Sequence, residues 1–488
     1  MALRVSLRYN PPMPETNALE IARDSLSGWV ALAMGLYTLL LIGVSTLASR
    51  RIGNAEDYIV AGRRLGLSLA TATLVATWFG AGTLMAAADE IRAVGLQGAA
   101  LDPLGAGLCL ILFGLFFAKR LWEEKLLTLP EIFGRRFGEK AQTLGAVLMI
   151  PPYLGWIAAQ FMALSAILTL FFELPAEATM IAVALFGIAY TVIGGMWAVT
   201  LTDALQLGIV VIGLLLLTIE VLARAGGFGP LWDALPAAHK IVIPLDSLSS
   251  LVGWIGVVAA GALGNIPSQD VAQRVFASKD AQTAQRACLL SGGLYFLMGI
   301  SPVLLGLAGA LLDSELETGT VTQLAAVSLH PAMAVLFSVT LMSVILSTID
   351  GALLAPATVL VHDLWSMKEL SERDSLRRYR LGVVLVGLVS LGLALAGENA
   401  YALLESSYEL GMVSLLAPLT YALYARELNG FAALGSMVGG TVLWASHYAL
   451  EQEYFWGIEG WPLGLCAMGI SFIAYPLLCQ FKRSETPS

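Results

Sequence analysis

Apolar residues run along most of the chain in blocks of about 20, the length a helix needs to cross a bilayer, separated by short polar connections. Thirteen such windows fall at 28–48, 66–92, 98–118, 142–171, 176–195, 203–223, 247–266, 287–311, 330–360, 381–397, 401–424, 429–448 and 462–480. Backbone N–H and C=O groups in hydrocarbon must be satisfied inside their own segment or in a closed barrel, so windows of this length predict helices. The expected fold is an all-α membrane protein with 13 transmembrane helices. Residues 1–27 read as a polar, Pro-interrupted tail, 28–481 as the transmembrane domain and 482–488 as a short cytoplasmic tail. The longest polar connections, near 225–245 and 362–380, are too short to hold a soluble core.

Two windows carry breaks. The second contains "TWFGAGT", with Gly80 and Gly82 at mid-membrane, and the seventh contains "GALGNIP", with Gly261, Gly264, Asn265 and Pro267. Interrupted helices at matching positions in two halves are the best sequence pointer to a transporter's central site. Spans two to six and seven to eleven would form the two five-helix halves. Gly in membrane helices also serves close packing, and the matched placement is what favours the functional reading.

Composition adds the solvent and the orientation. At 57% hydrophobic and 13% charged residues, the chain is no water-soluble globule; the net charge of −9, spread over loops on two sides of a bilayer, is uninformative about partners, and the expected partner is the lipid bilayer, with no nucleic acid. Most of the 27 Lys and Arg residues fall on the side of the C-terminal tail, leaving Arg4, Arg8, Arg23, Arg92, Arg224 and Lys240 outside or at the outer interface. The positive-inside rule then predicts N-out, C-in. Cys109, Cys288, Cys466 and Cys479 read as small buried hydrophobes without metal or redox spacing. His239, His330, His362 and His447 are scattered with no metal spacing and no nucleophile motif beside them, so no enzyme is expected.

Candidate chemistry concentrates in "ILSTID", Ile345 to Asp350. Val344 stands three and four residues before Ser347 and Thr348, so its carbonyl emerges beside both hydroxyls. Two readings are open for the pair: hydroxyls bonded back to a carbonyl one turn earlier, or oxygen ligands for a hard cation such as Na⁺, completed by carbonyls freed where a neighbouring helix breaks. Ala76 and Phe79, just before Gly80, are the carbonyls to pair with them. Asp350 lies on the same face as Ser347, and Asp203 opens the sixth span; ionisable groups at membrane depth cost about 2.5–3.5 kcal/mol each and usually mark an ion path. For Asp203 a helix-capping role is the alternative. Asp89, Glu90, Arg92 and Asp102 read as a solvated cluster near the end of the second span.

The chain resembles the sodium:solute symporter family over nearly its whole length after the tail. The resemblance is carried by "DYIVAGRRLG", "TLPEIFGRRFG", "YTVIGGMWAVTLTDALQ", "QRVFASKDAQTAQRA" and "LSTID", in that order. "TATLVATWFGAGTLMAAADE", "FFAKRL" and "GNIPSQDVAQRV" are most similar to the high-affinity choline transporter branch. The resemblance implies inverted repeats and Na⁺-coupled import of a small organic solute by alternating access in a bacterial-type inner membrane. It maps the sodium site onto the carbonyls of Ala76, Phe79 and Val344 and the side chains of Ser347 and Thr348. A second sodium or relay position maps onto Asp203 and Asp350. Solute contacts are expected from Trp78, Trp156, Ser268 and Gln269. Choline needs an aromatic cage; Trp78 and Trp156 match two cage positions, but Ser268 stands where the choline branch has Trp, and its Tyr falls near Ala106 or Leu108. The half cage admits a smaller or more polar solute that Ser268, Gln269 or Asn265 could hydrogen-bond. The rival is a sodium-dependent sensor or channel-like protein without net transport; no signalling domain follows residue 483, which counts against the sensor.

Overall fold

The computed structural model describes residues 15–311, 319–365, 371–397, 409–450, 452, 454–458 and 460–481. Among them there is no β-strand, only the isolated bridges Leu65–Ser278 and Tyr454–Pro462. The tail at 482–488, residues 1–14 of the N-terminal tail and the start of the 401–424 window lie outside the described residues.

Helix α1, Glu15–Ser49, starts earlier than the 28–48 window. The segment after Pro14 contains no further proline, so nothing in it interrupts the helix that the apolar run propagates. The second window is split into α2, Leu67–Trp78, a π-helical turn at Gly82–Ala86 and α3, Ala87–Val94. Four later helices follow: α4, Glu139–Phe172; α5, Ala176–Arg224; α6, Leu248–Gly264; and α7, Gln269–Ala277. The seventh window ends at a break, beyond which α7 continues, with α6 and α7 bent by 40° about Asn265–Ser268. Beyond it lie α8, Ala281–Gly309; α9, Pro331–Val359; α10, Glu372–Leu395; α11, Gly430–Ala449; and α12, Leu463–Phe481.

By length and composition, eight described helices can cross a membrane, or nine if the bent α6–α7 pair is one span. The 49 residues of α5 would extend about 74 Å as one rod, more than twice a bilayer's hydrocarbon core. Gly195 breaks that rod, with φ 49° and ψ −150°. A side chain there would also collide with Tyr58, since a Cβ would come within 2.5 Å of its ring, so only glycine fits the turn.

The centre of the bundle is α9, packed on α5, α4 and α2. Every residue from Leu341 to Val359 is buried, including Ser343, Ser347, Thr348 and Asp350. Backbone bonds join the approach to α2 with the exit from α7: Leu65 N–H donates to Ala277 C=O at 3.0 Å, and Lys279 N–H donates to Leu65 C=O at 2.9 Å. The two broken helices are therefore tied together at one end.

Candidate ion and solute site

The first break begins where α2 runs out. Phe79 leaves helical geometry at φ −77° and ψ 73°, and the residues before it turn their carbonyls toward α9. Ser347 Oγ lies 2.9 Å from the carbonyls of both Ala76 and Val344. Thr348 Oγ1 lies 2.9 Å from the carbonyl of Thr77 and 3.3 Å from that of Val344. Both hydroxyls are thus shared between a carbonyl of their own helix and one from across the bundle. Gly80 is what lets the backbones approach: a Cβ there would meet Thr348 Oγ1 at 2.5 Å.

Five oxygens, two hydroxyl and three carbonyl, meet at one fully buried place. Such a donor set has no soft or fixed-geometry ligand and suits a hard monovalent cation, whose entry would require the two hydroxyl protons to turn away and the oxygens to spread from their hydrogen-bonded separations. Four of the residues expected at a sodium site, Ala76, Val344, Ser347 and Thr348, are brought together here. Phe79 sits at the helix end next to them, and the carbonyl that meets Thr348 belongs to Thr77, which sequence reasoning missed. A hydroxyl two residues before the break was its only signal.

Asp203 and Asp350 form an adjoining polar layer. Both are wholly buried. Asp203 Oδ2 accepts from the Thr73 hydroxyl and, at 3.4 Å, from that of Thr77. Arg274 Nη2 stands 4.0 Å from the same oxygen. Thr202 Oγ1 donates to Asp350 Oδ2 at 3.4 Å. Oδ1 of each aspartate has no partner among the described residues. Arg274 is itself fully buried and donates to Thr73, Thr77 and the Asp270 carbonyl.

The expected solute residues separate into two groups. Trp156 and Ser268 line a cavity of about 30 Å³ with Met149, Pro152, Tyr153 and Asn265. Its volume suits a few waters, so a solute enters only if the walls move. Trp78 is buried, and its indole N–H donates to Asp270 Oδ2 at 2.5 Å. Gln269 is spent on backbone: Oε1 accepts from Leu129 N–H at 2.7 Å and Nε2 donates to Leu127 C=O at 3.2 Å. Tyr153 and Asp270, absent from the sequence reading, bond each other, and Tyr153 lies 6.0 Å ring to ring from Trp156. Asp102 is a correction. The solvated cluster expected around it does not hold for this residue, which is 6% exposed because Ala100–Gly105 turns into the bundle and Pro103 packs on Gly299.

A family model described as the sodium:solute symporter family matches residues 58–440, across both breaks and the hydroxyl pair. The chain belongs to the sodium:solute symporter family. High-affinity choline transporter 1 of Caenorhabditis elegans is 26% identical over 452 residues, covering 86% of this chain and 77% of that protein. The human high affinity choline transporter 1 is 26% identical over 444 residues, at 86% and 76% coverage. The high-affinity proline transporter PutP of Bacillus subtilis is 25% identical over 432 residues, at 84% and 90%. In fold, the chain is similar to a Na⁺-coupled sialic acid symporter in a substrate-bound outward-open state, with a TM-score of 0.77 at 17% identity over 93% of this chain and 98% of that one. Mhp1, a nucleobase-cation symporter, follows at 0.58, 16% identity and 88% and 96% coverage. This symporter is a multi-pass membrane protein that couples solute import to Na⁺.

Proposed function

We propose that the symporter carries Na⁺ at the Ser347–Thr348 cluster, held by these hydroxyls and by carbonyls of Ala76, Val344 and the break that ends in Phe79. The observation that carries the reading is the convergence of those hydroxyls with carbonyls from the far side of the bundle. Asp203 and Asp350 serve as a second sodium or relay position, supported by their burial and unpartnered oxygens. The chain crosses a bacterial-type inner membrane 13 times, N-out and C-in, as two inverted five-helix halves; the break of α5 at Gly195 supports counting that helix twice.

The solute is a small organic cation or zwitterion whose ammonium group lies against Trp156 and Tyr153. Aromatic faces attract such a group by about 0.5–2 kcal/mol per ring, and choline and proline, the solutes in the names of the similar transporters, both carry one. Ser268 supplies a hydroxyl at the cavity wall, while Trp78 and Gln269 act from behind it as positioning groups. The test is uptake of radiolabelled choline, betaine, proline, pantothenate and glucose into proteoliposomes with and without an imposed Na⁺ gradient. Sodium-driven uptake of one of the three ammonium compounds is expected. Uptake confined to pantothenate or glucose would overturn the solute class.

A further inference from the structure

On the other side of the first break lies a second oxygen cluster that the transport reading does not use. Thr83 Oγ1 stands 2.7 Å from Asp102 Oδ2 and 3.4 Å from the Trp78 carbonyl. The Tyr295 hydroxyl stands 3.1 and 3.2 Å from the two carboxyl oxygens of Asp102 and 3.2 Å from the same Trp78 carbonyl, and it also contacts the Thr83 hydroxyl. All three side chains are buried.

Counting protons shows what is missing. An ionised carboxylate and a carbonyl bring none, and the two hydroxyls bring one each. Two hydrogen bonds can therefore form at a time, yet each hydroxyl has several acceptor oxygens within reach. The remaining approaches place oxygen against oxygen around a negative charge. Among the described residues no lysine, arginine or histidine bonds Asp102. A carboxylate at membrane depth without a counter-charge is strongly unfavourable; the cluster calls for a positive partner, either a proton on the carboxyl or a cation held among the oxygens, and the number of oxygens gathered here favours the cation.

The backbone around it is irregular in the same place. Thr83 belongs to the π-helical turn Gly82–Ala86, and Asp102 to a second one, Ala100–Gly105, inside which Asp102 itself is non-helical at φ −145° and ψ 127°. Such turns gather at functional sites because they re-aim side chains and carbonyls. Close glycine contacts lock the arrangement: a Cβ on Gly299 would meet Pro103 at 2.6 Å, and one on Gly105 would meet Gly261 at 2.7 Å.

We propose that Asp102, Thr83, Tyr295 and the Trp78 carbonyl form a further Na⁺ site, separate from the Ser347–Thr348 cluster. The first break then divides three successive carbonyls between two ions: those of Ala76 and Thr77 face α9, and that of Trp78 faces α8. The inference rests on sodium coupling but not on the assignment of the Ser347–Thr348 cluster.

The test is direct binding of radioactive sodium to the purified full chain in detergent, without solute, for wild type, Asp102→Asn, Thr83→Val, Tyr295→Phe and Ser347→Ala with Thr348→Ala. Monodispersity and thermal unfolding check that each variant is folded. Asp102→Asn is expected to bind fewer Na⁺ per chain than wild type while keeping the component that the Ser347–Thr348 variant loses, and combining the two should remove both. Tyr295→Phe and Thr83→Val should weaken the Asp102 component about tenfold or more, a shift of about 1.4 kcal/mol; they decide the matter if Asp102→Asn does not fold. Unchanged sodium count and affinity in the folded Asp102 variant would overturn the proposal, and a change confined to the pH dependence of binding would overturn it in favour of a bound proton. If instead only the Ser347–Thr348 variant keeps full binding, the other site's assignment falls and this one stands.

Discussion

The two broken helices are held open in different ways. At the first break the freed carbonyls of Ala76 and Thr77 are met by hydroxyls of Ser347 and Thr348, whose protons can rotate away. At the second, Ser268 Oγ donates to the Asn265 carbonyl at 2.6 Å, and Gln269 is clamped at both ends by the backbone of Leu127 and Leu129. The Gln269 amide bonds have no rotor to give up, and the Ser268 hydroxyl turns back on a carbonyl of its own segment, not one from across the bundle. The first break offers partners that an ion could replace; the second borders the cavity lined by Ser268 and Asn265. On the proposed reading, the first break binds by trading bonds and the second positions by keeping them.

The sharpest way to break this contrast is Ser347→Ala with Thr348→Ala. It removes the exchangeable partners and leaves the carbonyls, so Na⁺-stimulated uptake should be abolished while expression and membrane insertion persist. Wild-type sodium dependence in the double variant would place the ion elsewhere. Gly80→Ala tests the same break through sterics. Its new Cβ would lie 2.5 Å from Thr348 Oγ1 in the present backbone, so the helix must shift. An ion site loosened by about 1 Å is expected to lose roughly tenfold to a hundredfold in affinity, about 1.4–2.8 kcal/mol, read as the Na⁺ concentration for half-maximal uptake. Equal affinities for wild type and variant would mean that the close approach serves packing alone.

Both breaks were legible in the sequence because glycine, asparagine and proline interrupt two apolar runs at matching places, and the hydroxyl pair stood out as polar groups among apolar neighbours. Partners brought from elsewhere in the chain were not legible. Thr77 reads as one more small residue of an apolar helix until α9 is placed beside it. Asp270 and Tyr153 are 117 positions apart, and nothing local marks either as the other's partner. Asp102 was misread as solvated because it lies near charged Asp89, Glu90 and Arg92. Linear neighbourhood was the wrong guide: the chain turns inward between those residues, and Asp89 caps the loop there, accepting from Gly319 and Thr320 N–H. The apolar windows 176–195 and 203–223 meet at the Gly195 break of the long helix α5, so that turn was marked in the sequence by the interruption of the apolar run.

At the second break the expected effect is moderate and concerns selectivity. Ser268 lines the same cavity as Trp156. Ser268→Trp would add a ring worth about 0.5–2 kcal/mol to a quaternary ammonium, raising choline affinity by roughly twofold to thirtyfold in competition assays, and would obstruct a solute that uses the hydroxyl. Sodium affinity should stay as it is, because the variant touches neither hydroxyl of the first break. Unchanged choline competition together with unchanged native uptake would mean that position 268 does not face the solute.

The smallest effect belongs to the loop that clamps Gln269. Glu131, in the short helix Pro130–Phe137, accepts from Leu127 N–H at 3.1 Å and from Arg135 at 2.6 Å, with His362 Nε2 at 3.7 Å. Burial alone would push its carboxyl up, but the bonds from His362, the Leu127 N–H and Arg135 outweigh burial and bring it from 4.5 down to about 2. A depressed carboxyl stabilises the fold fully above its unfolded value and loses that contribution as pH falls from about 4.5 toward 2. Its side chain is 21% exposed, so solvent screening reduces the charge contribution to about 1–2 kcal/mol. Glu131→Gln keeps an acceptor for Leu127 and removes the charge, so it should lower thermal stability by that amount at pH 7. The gap between wild type and variant should close below pH 4, where the wild-type carboxylate begins to protonate in the unfolded chain and its advantage drains away. Half-maximal sodium for uptake should move by less than about twofold, under 0.4 kcal/mol, since the second break positions and does not bind the ion. A gap that stayed constant with pH would show that the carboxylate's charge is not what holds the loop. A large sodium shift would show that the two breaks are less independent than their bonding suggests.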